Sequence, residues 1–278
     1  MKRYTFPFIS VLFLIAATLS GASQKAVNTF TVMSYNIRNS LEKDGTNAWD
    51  YRYPASGMMI DDNQPDVVCV QEALKGQVSY LDVVLEDYKA VGVGADNGKN
   101  EGEFTAILYK KKTVSVSKWG TFWLSDTPEK ASDGWDGEKR LCATWAVMKD
   151  KKSGKRFFIV NVRLAGERTL RDGAALVAAK VRELNKDGLP AFVAGDFNME
   201  YSDSSLLPLR SVMSNAREDA AIADTTPSFN GWGKSQATID HIWYSGVGSC
   251  ISFETVTKPY YERNFISDHY PVKATFIF

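Results

Sequence analysis

At 278 residues and 30.9 kDa, the chain is too long for a small disulfide-stapled scaffold. Hydrophobic residues at 44% and charged residues at 24% describe a globular protein and exclude a disordered or fibrous one. The 33 basic side chains balance the 33 acidic ones, so the broad positive field behind non-specific nucleic-acid binding is absent, and no stable nucleic-acid partner is expected.

Lys2 and Arg3 precede an apolar stretch from Phe6 to Leu19, followed by Ser20, Gly21, Ala22 and Ser23. A charged start, a short apolar middle and a small-residue exit predict a secretory signal peptide over 1–22, cut between Ala22 and Ser23. The alternative is an uncleaved anchor. A spanning helix prefers about 20 apolar residues, and Pro7 and Ser10 interrupt this shorter run. The expectation is an exported protein, periplasmic or extracellular, with no membrane anchor after cleavage. Residues 23–278 then form one domain, expected as a monomer.

Thr29–Ile37 and Pro65–Glu72 read as strands. Between them Trp49, Tyr53, Ser56 and Ile60 keep helical spacing, weakened by Pro54 and Gly57. Leu74, Val78, Leu81, Leu85 and Tyr88 step by four and three, which predicts an amphipathic helix. Phe104–Tyr109 predicts a strand ending in three lysines. Leu141–Met148 and Arg156–Leu164 predict a hairpin turned by the polar segment 149–155. Leu170, Ala174, Val177, Val181 and Leu184 predict a second helix. Pro190–Phe197, Thr238–Tyr244 and Pro271–Phe278 complete the strands. The lysine runs read as solvated hairpin ends. Cys69 and Cys142 read as small buried hydrophobes, without metal spacing. Two stretches echo each other: TVMSYN, helix, PDVVCVQE, and FFIVNVR, helix, PAFVAGDFN. The echo suggests two similar halves whose sheets pack together.

Asn36, Glu72, Arg163, Asp196, Asn198, Asp240 and Asp268 each stand at or just past the end of an apolar β-run. Polar groups at strand ends tend to converge on one rim of a sheet, where ligands bind. Carboxylates and amides suit a hard cation, Mg²⁺ or else Mn²⁺ or Ca²⁺, and suit zinc poorly; two histidines leave no room for a His-rich zinc site. Both histidines directly follow an aspartate, as Asp240-His241 and Asp268-His269. His241 reads as structural, whereas the turn-like SDHYP segment favours a role for His269.

These motifs, YNIR, VQEA, GDFN, IDHI and SDHYP, stand in an order that resembles the endonuclease/exonuclease/phosphatase superfamily over roughly Thr29 to the C-terminus. The stretches DGTNAWDYR, GEFTAILY and GTFWLSDTPEK resemble a secreted bacterial branch of it. The resemblance implies an α/β fold, a four-layer α/β/β/α sandwich of two packed mixed sheets flanked by helices. It implies a divalent-metal-dependent phosphoester hydrolase, either phosphodiesterase or phosphatase, in which water attacks phosphorus. Glu72 is then the main metal ligand, with Asn36 and Asp268 nearby. Asp196 and Asn198 orient water and phosphate, and His269, held by Asp240, contacts the scissile phosphate. The substrate-binding side chains are expected to be Arg163, Glu103 and Arg140. The class of phosphoester stays open.

One departure from the family pattern matters. Where the family often carries a second histidine in an NTHLDH-like segment, residues 161–166 read Asn-Val-Arg-Leu-Ala-Gly. Arg163 either points into the cleft, paired with Glu103, or lies in a surface salt bridge. Two other functions remain: a degenerate member that binds a phosphorylated or sugar ligand without turnover, and a metal-free carboxylate-pair glycosidase. Trp119, Trp123, Trp135 and Trp232 either line the cleft or belong to the core.

Overall fold

The computed structural model describes residues 28–278, so the expected signal peptide over 1–22 lies outside the described residues. The first βαβ unit runs from β1 (Thr29–Asn36) through α1 (Trp49–Asn63) to β2 (Val67–Ala73). α2 (Lys75–Val84), β3 (Tyr88–Val91), β4 (Phe104–Lys110), β5 (Val114–Trp123) and β6 (Cys142–Asp150) follow. The second βαβ unit is β7 (Arg156–Arg163), α3 (Glu167–Leu184) and β8 (Ala191–Asp196). The short β9 (Ser214–Asn215) and β10 (Ile222–Ala223) precede β11 (Asp240–Ser245), β12 (Cys250–Thr255) and β13 (Val272–Ile277). One sheet has the order β10-β12-β13-β1-β2-β4-β3, and the other β5-β6-β7-β8-β11-β9. β1 pairs in parallel with β2, and β7 with β8. The echo in the sequence is therefore one βαβ unit in each sheet.

Strand alternation builds the layers, because successive side chains face opposite ways. Phe30, Val32, Cys69 and Ile107 from the first sheet meet Phe157, Ile159, Phe192 and Ile242 from the second in one buried cluster. Met33, Tyr35, Val68 and Val70 face outward under Ala55 and Met59 of α1 and Leu81 of α2. Val160 and Val193 face outward under Ala174 and Val177 of α3. The result is the expected four-layer α/β/β/α sandwich. Asn161 and Gln71 stitch the sheets just beneath one rim: Gln71 Nε2 donates to Asn161 Oδ1 at 2.8 Å, and Asn161 Nδ2 donates to the Val70 and Ala106 carbonyls.

Several local expectations change. α1 runs through Pro54, which sits early enough to remove a single helical bond. A Cβ on Gly57 would lie 3.2 Å from Val84, so the glycine lets α1 approach α2. Tyr88 leaves the helical stepping and opens β3, because α2 ends at Val84. The Lys110–Lys112 turn crosses from β4 in one sheet to β5 in the other, so it is not a hairpin end. β3, β5 and β12 are strands that periodicity did not mark. All three cysteines are buried and unpaired. No helix among the described residues is long and apolar enough to cross a membrane.

Candidate active site

The C-terminal ends of β1, β2, β7 and β8 and the start of β11 share one rim. Register brings them together: Arg163 and Asp240 both stand opposite Asp196, and Asn36 stands opposite Gln71. The two sheets join at Asn36, whose Nδ2 donates at 3.0 Å to both Glu72 Oε1 and Asp196 Oδ2. Its Oδ1 accepts the Arg38 N–H, so Asn36 orients the two carboxylates.

Glu72 sits at a register shift between β2 and β4, with φ 62°. A β-bulge turns a side chain that would otherwise follow the strand alternation. Glu72 Oε1 also takes Arg163 Nη2 at 2.8 Å. Arg163 reaches Glu103 Oε2 at 3.5 Å and Asp196 Oδ2 at 3.6 Å as well. Its side chain thus lies among the carboxylates, not in a surface salt bridge. Asn39 links Glu103 and Glu72 from the loop after β1.

Asp196 and Asn198 form an Asx turn, in which Asp196 Oδ1 accepts the Asn198 N–H at 2.9 Å. Asn198 has φ 51°, a conformation asparagine tolerates better than most residues. Its Nδ2 donates to Asp196 Oδ2 and to the Leu164 carbonyl. His269 Nδ1 lies 2.8 Å from Asp240 Oδ2. The other ring nitrogen, Nε2, has no bond among the described residues. Asp268 Oδ2 lies 3.5 Å from Arg38 Nη1.

Burial raises the Asp196 carboxyl; His269 pulls it down and Asp240 pushes it up, and it stands at about 6. Burial works against a charged His269 ring, but Asp240, Asp196 and Asp268 outweigh it and lift the ring to about 10. Burial also pushes Glu72 up, yet Arg163, the Asn36 amide and His269 bring it down to about 2. Asp268 is raised, chiefly by burial. At neutral pH, Glu72 and Asp196 are therefore carboxylates and His269 is an imidazolium.

Glu72, Glu103, Asp196, Asp240 and Asp268 are all buried; Arg38, Lys139 and Arg163 pair with them directly, and Arg52 and Arg217 act on Asp268 and Asp240 from farther away. Burial is the main cause that raises the Asp196 and Asp268 carboxyls, and a cation bound beside them would favour their charged forms. Among the described residues, Asp240 Oδ1 and Glu103 Oε2 are buried oxygens without a hydrogen-bond partner. The donor set fits a divalent cation. Asp196, Asp240 and His269 bring one ligand atom each within 4.8 Å of one another. Glu72 and Asp268 fit a hard cation better, because their ligands are all oxygen and His269 Nδ1 is engaged by Asp240.

Arg140 stands apart. It donates to the Asp133 carboxylate and the Asp96 carbonyl, and none of its bonds among the described residues reaches the cluster. Its neighbour Lys139 does, at 2.5 Å from Glu103 Oε1. Lys139 and Arg38 are the cations that sequence reasoning passed over. Arg38 was legible as the last letter of YNIR, whereas Lys139 carries no signal in its loop. His241 is buried against Asn215 and the Met199 carbonyl. Trp123 and Trp135 are buried and Trp119 is exposed, while the loop that carries Trp232 is bonded to the Asp268 carbonyl.

Gly195 sets the position of Asp196. An ideal Cβ there would lie 1.9 Å from the Val162 carbonyl oxygen of β7. Gly195→Ala is expected to force β8 away from β7, lower stability by about 1–3 kcal/mol and displace Asp196. Thermal unfolding and kcat measure both effects, and an unchanged protein would refute the close approach.

A model of the endonuclease/exonuclease/phosphatase family matches residues 33–269. A Bacteroides vulgatus structure described as an endonuclease/exonuclease/phosphatase is 31% identical, covers 89% of this chain and 98% of its own, and has a TM-score of 0.83. The mannosyl-6-phosphatase of Bacteroides thetaiotaomicron is 31% identical over 90% of this chain and 100% of its own, with a TM-score of 0.82. The human Nocturnin catalytic domain, 18% identical over 89% of this chain and 93% of its own, shares the fold at a TM-score of 0.70. No curated protein sequence matches the chain.

Proposed function

The chain belongs to the endonuclease/exonuclease/phosphatase family, and from that premise we propose that it is an exported, divalent-metal-dependent phosphatase acting on a small sugar phosphate. It is a hydrolase of phosphoric ester bonds, and a metal-free glycosidase is set aside. The observation that carries the monoester reading is the Arg163 guanidinium inside the carboxylate cluster, with Arg38 and Lys139 at its edge. A phosphomonoester carries close to two negative charges at neutral pH, because its second pKa is about 6; a diester carries one. Together with the divalent cation that Glu72 and Asp268 would hold, these three side chains suit the former. The balanced net charge disfavours a long polyanion. The likeness to a mannosyl-6-phosphatase supports a sugar as the leaving group.

Asp196, deprotonated at neutral pH, and Asn198 hold the attacking water against phosphorus, and Asp196 accepts its proton. His269, fixed through Nδ1 by Asp240, offers its charged Nε2–H to a phosphate oxygen as negative charge grows there. Arg163 grips the phosphate with its planar fork. Glu72 and Asp268 would hold the cation, Mg²⁺ or else Mn²⁺ or Ca²⁺, which when bound neutralises phosphate charge.

The test is phosphate release from hexose 6-phosphates, and nitrophenol release from p-nitrophenyl phosphate against bis(p-nitrophenyl) phosphate, two esters with the same leaving group, with each metal. EDTA-sensitive release from the hexose phosphates is expected. Preferential cleavage of the diester would overturn the monoester reading. Tight binding without release would favour a non-catalytic member, the reading that arginine in the histidine position supports. Export is tested by N-terminal sequencing of the secreted protein, which should begin at Ser23.

Arg163 also sets the leaving-group chemistry. Arginine stays protonated and cannot donate a proton as imidazolium does, so the departing oxygen must take its proton from water. Esters with good leaving groups, such as nitrophenolates, are expected to react far faster than alkyl esters. Arg163→His should narrow that gap, and Arg163→Ala should mainly raise KM. The measurement is log kcat/KM against leaving-group pKa; superimposable lines would remove Arg163 from the chemistry.

A further inference from the structure

Trp232 has φ 59° and ψ 36°, a left-handed conformation for a bulky side chain. A non-glycine residue there costs roughly 1–2 kcal/mol, and such strain concentrates at functional sites. Both neighbours, Gly231 and Gly233, are glycines at positive φ. The loop is nevertheless held firmly. Asn230 Oδ1 accepts the Trp232 N–H at 2.8 Å, and Asn230 Nδ2 donates to the Ser267 carbonyl. The N–H groups of Asn230 and Gly231 both donate to the Asp268 carbonyl, at 2.8 and 3.1 Å. The loop that presents the indole is therefore bonded to the backbone of a site carboxylate.

One side of the indole rests on Arg52, whose guanidinium carbon lies 5.8 Å from the Trp232 ring centre and 5.1 Å from that of Trp49. Arg52 is fully buried and donates to the Ile37, Arg38, Asn47 and Ile266 carbonyls. It ties the aromatic residue to the segments that carry Arg38 and Asp268. Trp232 is only half-buried, and its loop is bonded to the backbone of Asp268, the carboxylate that Arg38 faces.

We propose that Trp232 is a specificity-determining platform on which the pyranose ring of a sugar phosphate stacks while its phosphate lies against Arg38, Arg163 and His269. The ring C–H hydrogens of a pyranose are slightly positive and the indole face is negative, so the two attract beyond simple burial. The platform deepens the sugar-phosphatase reading and rests on it.

The experiment compares wild type, Trp232→Ala and Trp232→Phe on hexose 6-phosphate and on glycerol phosphate, which has no ring, with thermal unfolding alongside. Trp232→Ala is expected to lower kcat/KM for the hexose phosphate about tenfold more than for glycerol phosphate, mostly through KM. Trp232→Phe should restore most of that ratio. Equal losses on both substrates, with a lower unfolding temperature, would show that the indole only covers Arg52 and would overturn the platform. An unchanged substrate ratio would overturn it too, while leaving the sugar-phosphatase reading intact. No turnover of any hexose phosphate by wild type would overturn both.

Discussion

His269→Ala is expected to lower kcat by ~10²–10⁴-fold, the usual worth of a positioned acid, base or charge-stabilising group. His241→Ala should cost far less activity, because that ring is buried against Asn215 and Met199 and burial keeps its pKa low. The pH profile separates a chemical role from a structural one. Asp196 works as a carboxylate, so activity should rise with pH through about 6. His269 works as an imidazolium, so activity should fall as pH rises through about 10. The two groups interact, and the limbs belong to the pair. A bound cation, stabilising the deprotonated forms, should move both limbs to lower pH. In His269→Ala the alkaline limb should vanish. The acidic limb should move up, because the imidazolium no longer lowers Asp196. Stability follows the same sign. His269 is raised in the folded state, so its stabilisation is present below its unfolded pKa of about 6.5 and is lost as pH rises through about 10. Equal small losses in the two histidine variants would refute the assignment.

Glu72→Gln should abolish most metal-dependent hydrolysis while the protein stays folded. Glutamine keeps the shape and an acceptor for Asn36 and Arg163, and Arg163 retains Glu103 and Asp196 as partners. Calorimetric titration with Mg²⁺ and Mn²⁺ reads the cation directly, without turnover. Affinity should fall by more than the ~10–100-fold that loss of an outer-shell partner costs. Unchanged affinity and rate would move the cation elsewhere, and the Asp196, Asp240 and His269 cluster would be the next candidate.

The amino-acid sequence by itself determined the layered α/β fold and most of the rim. Apolar β-runs that end in YN, QE, GDFN and DH are local patterns, and alternation decides which side chains face the core. The helices packed on the outer faces were equally visible, α1 even through Pro54. The tertiary structure alone decided where the chemistry points. Glu72 is aimed by a bulge against β4, a partner distant in sequence. Arg163 is drawn inward by Glu72, Glu103 and Asp196, which come from β2, the start of β4 and the end of β8. Lys139, and not Arg140, meets the cluster because its loop brings it to Glu103. The loop that carries Trp232 meets the site because the Asn230 and Gly231 N–H groups donate to the Asp268 carbonyl. Strand and helix identity follows from the spacing of neighbouring residues. The direction of a side chain at a strand end depends on contacts between segments far apart in the chain, which no local pattern encodes.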